Sequence, residues 1–216
     1  IADYEGYFGE AQKSFQEARE LVEREPQEKW GDTERAVHST TTHFLGRAHL
    51  GLALRGIDPE DNAKKAAEFF NRDLETATSF REKGEPRPAN EGFQYVWPAR
   101  VDMALGNYQT AEANIEKARE LFEEHIGDSP NSGILGHYYK LRAMLDLERG
   151  NLESARRNFV ESGRIWTEVQ VYPKGKADAS YGLGLCDFQE GKIDDARIKI
   201  LEAVKINPYL LKRGLI

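Results

Sequence analysis

The sequence lacks the residues on which several common kinds of site depend. It has a single cysteine, Cys186, so no internal disulfide can form, and apolar neighbours such as Leu185 predict a small buried residue rather than a reactive thiol. No apolar run approaches the roughly 20 residues that a transmembrane helix needs. A basic excess is missing too: the net charge is -7, which argues against a general nucleic-acid binder.

Motifs for catalysis are also missing. The sequence has no glycine-rich phosphate loop with a lysine, no cysteine pair and no His-Glu-x-x-His pattern. His38, His43 and His49 are near neighbours in sequence, but on a helix the first and the last lie about three turns apart and cannot share a metal ion. We therefore expect no catalytic residues, no metal and no cofactor, and a protein that is not an enzyme.

What is present is an internal repeat. In three segments a carboxylate precedes a glycine by four residues, an apolar residue follows that glycine by two, and an alanine follows it by five. These segments are Asp102–Ala118, Asp146–Ser162 and Asp187–Ala203. Repetition of this kind predicts an array of similar structural units.

Two weaker copies extend the array. The segment Gly6–Ala18 keeps only the second half of the pattern, so the first residue falls inside a repeat and we expect upstream sequence to be missing. A distorted copy has its glycine at Gly56 and its alanine at Ala66, because extra residues that include Asp58 and Pro59 come between them.

The pattern predicts pairs of helices joined at the glycine. A residue without Cβ adopts left-handed dihedral angles without strain, so it suits the point where one helix ends and the next begins. After the turn, apolar residues recur at intervals of four and three, as in Ala111, Ile115 and Ala118, which is one stripe of an amphipathic helix. A pair cannot bury this stripe alone, so we expect neighbouring pairs to stack.

This arrangement resembles the tetratricopeptide repeat (TPR) family. The matching features are the turn glycine with the apolar residue after it, the Ala-x3-Phe/Ile-x2-Ala run, and a small residue in each first helix, namely Gly46, Ala99, Ala143 and Gly184. The resemblance implies an all-α, right-handed superhelical solenoid of stacked antiparallel helix pairs, with about four and a half repeats. The chain departs from the family in having turn glycines 41 to 50 residues apart, where the usual period is about 34.

The repeat boundaries follow from the turns. We predict a single domain, 1–216, with a half repeat 1–28, repeats at about 33–84, 90–126, 132–171 and 175–207, and the start of a C-terminal cap at 208–216. The long second unit fits either one stretched repeat or a repeat with a lengthened helix pair. A second departure from the family is that Asp102, Asp146 and Asp187 stand where an aromatic residue is usual, and we expect them to accept hydrogen bonds between adjacent helices.

The resemblance implies a concave groove, lined by the first helices, in which a partner peptide or helix lies. Carried onto this sequence, the groove residues are His43, Arg47, Phe93, Trp97, Arg100, His137, Lys140, Met144, Tyr181 and Gln189. Cations interleaved with aromatic residues suit a protein or peptide partner that has acidic residues beside an apolar anchor. No asparagine matches the carboxylate clamp of chaperone-binding members, so we do not predict a chaperone tail. The alternative is that Phe93 and Trp97 pack between repeats and that the arginines pair with Asp102 or Asp146.

The predicted function is a non-enzymatic protein-protein interaction scaffold that binds neither nucleic acid nor membrane and is located in the cytoplasm. The alternative is a peptide- or ligand-responsive sensor module of a larger protein. The incomplete first repeat leaves one side of Phe8, Phe15 and Val22 uncovered, and the C-terminal Leu210-Leu211 segment is apolar. We therefore also expect homodimers to form through an open end of the solenoid.

Overall fold

A computed structural model describes residues 8–26, 29–81, 88–127, 133–169, 171–208 and 210, and this part of the chain contains helices and turns without strands. The helices are α1 (Phe8–Val22), α2 (Asp32–Leu54), α3 (Pro59–Arg81), α4 (Pro88–Ala104), α5 (Tyr108–Ile126), α6 (Gly133–Glu148), α7 (Leu152–Arg164), α8 (Pro173–Gln189) and α9 (Ile193–Ile206). A π-helical turn, Ile165–Val169, continues α7. Of these helices, none is both long and apolar enough to cross a membrane.

The chain divides into two compact units. The first, within Ile1–Pro86, holds α1 to α3, and the second, within Arg87–Leu211, holds α4 to α9. In the first unit α2 packs against both α1 and α3. In the second, the pairs α4/α5, α6/α7 and α8/α9 pack one after another, with α5 against α6 and α7 against α8. Each unit is therefore a stack of helices that are neighbours in sequence.

The helix pairs turn at the predicted glycines. Their φ angles are 74° at Gly56, 75° at Gly106, 74° at Gly150 and 78° at Gly191, all in the left-handed region. A side chain at these positions would be strained, because Cβ approaches the carbonyl oxygen there. Gly6, the fifth predicted turn, lies outside the described residues.

The long second repeat consists of a lengthened helix pair. Helices α2 and α3 have 23 residues each. Between them, Asp58 adopts a φ of 39°, and Pro59 begins α3, where a missing N–H costs no helical hydrogen bond. The extra residues after Gly56 therefore form the turn and the start of a longer helix.

Glycine against a large ring is the recurring contact within a helix pair. A Cβ added to the glycine would lie within 2.7 Å of the ring, so only glycine allows the ring to rest on the backbone. The pairs are Gly46 with Phe70, Gly92 with Phe122 and Gly136 with Trp166. In all three the glycine is on the first helix and the ring follows on the second, so the chain repeats one packing solution in both units.

The predicted apolar stripes form the core. In α5, Ala111, Ile115 and Ala118 are each at most 1% exposed, as the helical periodicity predicts. Cys186 is also fully buried, and burial raises the pKa of its thiol, so its predicted role as a small apolar residue is confirmed. At the other end of the chain, Leu210 is 1% exposed against the second unit, while most of the predicted cap lies outside the described residues.

Candidate functional site

Five rings of the second unit form a continuous series, which we call the aromatic ladder. It runs through Phe122, Phe93, His137, Trp166 and Tyr172. The distances between successive ring centroids are 5.0, 5.2, 4.9 and 5.3 Å, and each contact is edge to face. This geometry places the positive edge of one ring against the negative face of the next, which stabilises each pair by about 1 kcal/mol beyond burial.

The positions of the rings in the aromatic ladder follow from two glycine-to-ring contacts between helices, Gly92 with Phe122 and Gly136 with Trp166. Phe93 follows Gly92 on α4, and His137 follows Gly136 on α6, so each of these rings stands beside the large ring that packs on its glycine. Trp166 lies in the π-helical turn after α7 and is 3% exposed. Its indole also contacts the backbone of Gly175 at the start of α8, where a Cβ would meet it at 2.8 Å.

A cavity of about 270 Å³ opens beside the ladder. Its lining is Phe93, Gly133, Ile134, His137, Trp166 and Tyr172. All six residues are uncharged when the histidine is neutral, and four of them carry rings. A space of this size and character suits one large apolar or aromatic side chain, because such side chains gain most from leaving water.

His137 is held neutral at this site. Burial lowers its pKa to about 4, and the nearby Lys140 acts in the same direction, while Asp178 opposes them. Lys140 forms an ion pair with Asp178, whose other oxygen accepts a hydrogen bond from the Asn207 side chain at 3.3 Å. The charge of Lys140 is thus balanced within the protein, and the cavity has no cation of its own to offer a carboxylate.

The other predicted residues of α4 lie along the helix from Phe93. Trp97 and Arg100 are both half-buried, and the guanidinium of Arg100 lies over the Trp97 ring, 5.2 Å from its centroid. This cation–π contact holds the arginine along the helix surface. A permanent cation therefore stands on the same helix as the aromatic ladder.

The remaining predicted residues of the second unit are not gathered at the cavity. Met144 is 7% exposed and packs in the core, so its side chain has little surface for a partner. We therefore do not include it among the residues proposed to contact a partner. Tyr181 is half-buried against the small cluster that includes Leu210, and Gln189 is exposed at the end of α8.

His43 and Arg47 belong to the first unit. The Nδ1 atom of His43 is 2.8 Å from a carboxylate oxygen of Asp73, and Arg47 lies over the Phe44 ring at 4.8 Å. Asp73 also accepts a hydrogen bond from Ser39 at 3.0 Å, so one carboxylate of α3 binds both the hydroxyl and the imidazole of α2.

The repeated aspartates have the predicted structural role. Asp102 accepts a hydrogen bond from Asn114 at 2.9 Å, which joins α4 to α5. Asp187 joins three helices, because it accepts from Arg156 of α7 at 2.7 Å and from Lys199 of α9 at 2.5 Å.

Asp146 completes the series of aspartates in the same way. It accepts from Ser154 at 2.8 Å and from Asn158 at 3.0 Å, and both of these donors lie on α7.

Within the described residues, no cluster of three histidine, cysteine or acidic side chains could hold a metal ion.

Of the four rings that line the cavity, the sequence analysis named Phe93 and His137 and did not name Trp166 or Tyr172. A signal was available for Trp166, because it stands eleven residues after Ala155, as Phe122 stands eleven residues after Ala111. No signal pointed to Tyr172, whose position depends on the π-helical turn before it.

Solved structures with the same architecture cover almost the whole chain. BtubC (BKLC) from P. vanneervenii matches with a TM-score of 0.59 and 17% identity, over 97% of this chain and 77% of that chain. Two structures of a Podosopora anserina putative kinesin light chain with nearly identical TPR-like repeats match with TM-scores of 0.55 and 0.53. Their identities are 16% and 17%, over 97% and 94% of this chain and 95% and 92% of theirs.

The fold is that of the TPR-like helical repeat proteins. At such low identity the likeness establishes the architecture alone, an all-α solenoid of stacked helix pairs. No protein-family model matches the sequence, and no curated protein does.

Proposed function

We propose that the second unit is a non-enzymatic interaction module that binds a peptide segment of a partner protein along α4 and α6. The cavity beside the aromatic ladder carries this proposal. Two residues that the sequence predicts for a partner-binding surface, Phe93 and His137, line that cavity together. Preformed pockets of this kind avoid the entropic cost that a mobile loop pays on binding.

The lining and its surroundings define the partner segment. The cavity accepts an apolar anchor side chain, since its walls are rings and an isoleucine. Arg100, further along α4, supplies a cation for an acidic residue of the same segment, because a guanidinium can give a carboxylate two parallel hydrogen bonds. We assign the acidic preference of the partner to Arg100, which lies on the same helix as Phe93.

A random peptide library, selected on the wild-type chain, tests the proposal. We expect the selected peptides to share an apolar anchor and to lose binding to Ile134→Trp, in which an indole fills the cavity. Ile198→Trp is the matched control, because Ile198 is 56% exposed on α9, away from the cavity. His137→Arg is a second variant that places a permanent cation in the cavity wall, and it should also lose binding. Selected peptides that bind all three variants as well as wild type would contradict the proposal.

A regulatory sensor built on the same site would change shape on binding. Small-angle scattering of the chain, with and without a saturating selected peptide, distinguishes the scaffold from the regulatory sensor. The scaffold that we propose keeps its radius of gyration, and a changed radius would favour the sensor.

A further inference from the structure

Successive repeats of the second unit are joined by an ion pair at one fixed position, the fifth residue of each second helix. In α5 this residue is Glu112. Its carboxylate lies 2.9 Å from Arg142 of the next first helix, α6, and 2.8 Å from Arg149, which directly follows the end of α6. The two pairs connect α5 to α6 and to the turn that follows α6.

The same position in α7 has the opposite charge. Arg156 is the fifth residue of this helix, and it lies 2.7 Å from Asp187 in the last turn of α8 and 2.9 Å from Glu190, which directly follows α8. Position for position, Glu190 takes the place that Arg149 has one repeat earlier, since each directly precedes its turn glycine. One pair of equivalent positions, Glu112 with Arg149 and Arg156 with Glu190, therefore keeps its contact while its charges are exchanged.

In α9 the fifth residue is Arg197. It is exposed, and within the described part of the chain no carboxylate lies in ion-pair distance of it. Arg197 corresponds to Arg156, but among the described residues it has no equivalent of the contacts that Arg156 makes with Asp187 and Glu190.

Two apolar residues of the same helix pair, Phe188 and Ile193, are also exposed. Phe188 occupies the position of Met103 and Leu147 in the two preceding repeats, three residues before the turn glycine. Met103 is 8% exposed and Leu147 is 3% exposed, but Phe188 is 59% exposed. Ile193, the first residue of α9, is 54% exposed. We call Phe188, Ile193 and Arg197 the α8–α9 face.

We propose that the α8–α9 face binds an amphipathic helix of a partner protein, one that carries acidic residues in its last turn and a small apolar face. The position of Arg197 sets the sign of the charge, because the equivalent Arg156 contacts Asp187 and Glu190. Burial of Phe188 and Ile193 supplies the apolar contribution. A helix with basic residues at those places would meet Arg197 with like charge, which opposes binding. This surface is separate from the cavity beside the aromatic ladder.

Two peptides of known sequence serve as probes. One copies residues 173–191, the α8 helix with its acidic end, and the other copies residues 133–150, the α6 helix with Arg142 and Arg149. Each is held helical by a cross-link on its outward side and is titrated into the wild-type chain by fluorescence anisotropy. We expect wild type to prefer the α8 peptide by about fivefold, and Arg197→Glu to prefer the α6 peptide, as Glu112 does within the protein.

Arg157→Glu is the matched control for the change of charge, because Arg157 is an exposed arginine on α7 whose ion pair among the described residues is with Glu153 of the same helix. It should keep the preference of wild type, and so should Ile134→Trp, which separates this inference from the proposed function. Absence of saturable binding, or equal preference in wild type and Arg197→Glu, would overturn the proposal. Self-association that Arg197→Glu abolishes would overturn it in favour of a second copy as the occupant.

Discussion

The two units join their helices with different polar chemistry around the same glycine-and-ring packing. In the first unit the inter-helix contacts of α2 and α3 involve imidazoles: His43 with Asp73 at 2.8 Å and His49 with Asn62 at 2.7 Å. In the second unit Asp187 accepts from the permanent cations Arg156 and Lys199, while Asp102 and Asp146 accept from neutral side chains. One backbone arrangement thus tolerates either kind of contact.

The difference changes how each contact responds to substitution and to pH. A buried carboxylate with two cationic partners is costly to disrupt, because Lys199 loses its acceptor and Arg156 keeps only Glu190 among the described residues. Although burial opposes it, hydrogen bonds from Lys199 and Arg156 lower the pKa of Asp187, so this contact persists to acidic pH. Burial lowers the pKa of His49, so that imidazole is neutral in the folded chain.

The largest effect is expected at Asp187. Asp187→Ala removes the acceptor shared by Arg156 and Lys199, and we expect the free energy of unfolding to fall by about 3 to 5 kcal/mol in chemical denaturation. The control Glu153→Ala removes the exposed partner of Arg157 and should change the free energy of unfolding by less than about 0.5 kcal/mol. Equal effects of the two substitutions would show that the contact of Asp187 with α7 and α9 stabilises the fold no more than an exposed ion pair does.

The next effect is a dependence of stability on pH that comes from His137. Its pKa is about 4 in the folded chain and about 6.5 when unfolded, so below pH 6.5 the unfolded state binds more protons. Stability is complete above pH 6.5 and falls as the pH drops towards 4, by up to about 3 kcal/mol. His137→Phe should flatten this slope in denaturant unfolding at a series of pH values.

The matched control for that experiment is His125→Phe, which changes an exposed histidine at the end of α5. It should leave the slope as in wild type. If His137→Phe and wild type lose stability in parallel between pH 6.5 and 4, the neutral imidazole beside the cavity is not the cause.

A smaller effect is expected in the first unit, at Asp73. Asp73→Ala leaves Ser39 and His43 without their acceptor, and we expect a loss of about 1 to 3 kcal/mol, since these donors are not permanent cations. Glu75→Ala, an exposed change on the same helix, should cost less than about 0.5 kcal/mol. A loss at Asp73 as large as that at Asp187 would remove the contrast between the units.

The smallest effects concern glycines in opposite settings. Gly106→Ala places a side chain at a φ of 75° and should destabilise the chain by about 1 kcal/mol. Gly9→Ala lies inside α1, where a Cβ would meet nothing within 4 Å, so it should stabilise by up to about 1 kcal/mol. Thermal melting of the two variants beside wild type checks the opposite signs.

The sequence predicts the helix pairs because their signals are local. Gly106 and its equivalents mark turns, and Ala111 with Ile115 marks a buried stripe, so a few residues are enough. The cavity is harder to predict, since it depends on Tyr172, whose N–H donates to the carbonyl oxygen of Trp166 in the π-helical turn at 3.1 Å. Met144 shows a second limit: repeat position places it on a first helix, but only packing with neighbouring pairs decides that it is buried.

The most direct test of the central claim uses the indole N–H of Trp166 as a reporter. The Nε1 atom is buried and has no hydrogen-bond acceptor among the described residues, whereas Trp30 donates to the carbonyl oxygen of Glu25 at 2.8 Å. In a ¹H–¹⁵N NMR titration with a peptide selected on the wild-type chain, our account predicts that the Trp166 indole signal shifts and the Trp30 signal does not. A shift of Trp30 with an unchanged Trp166 would contradict it.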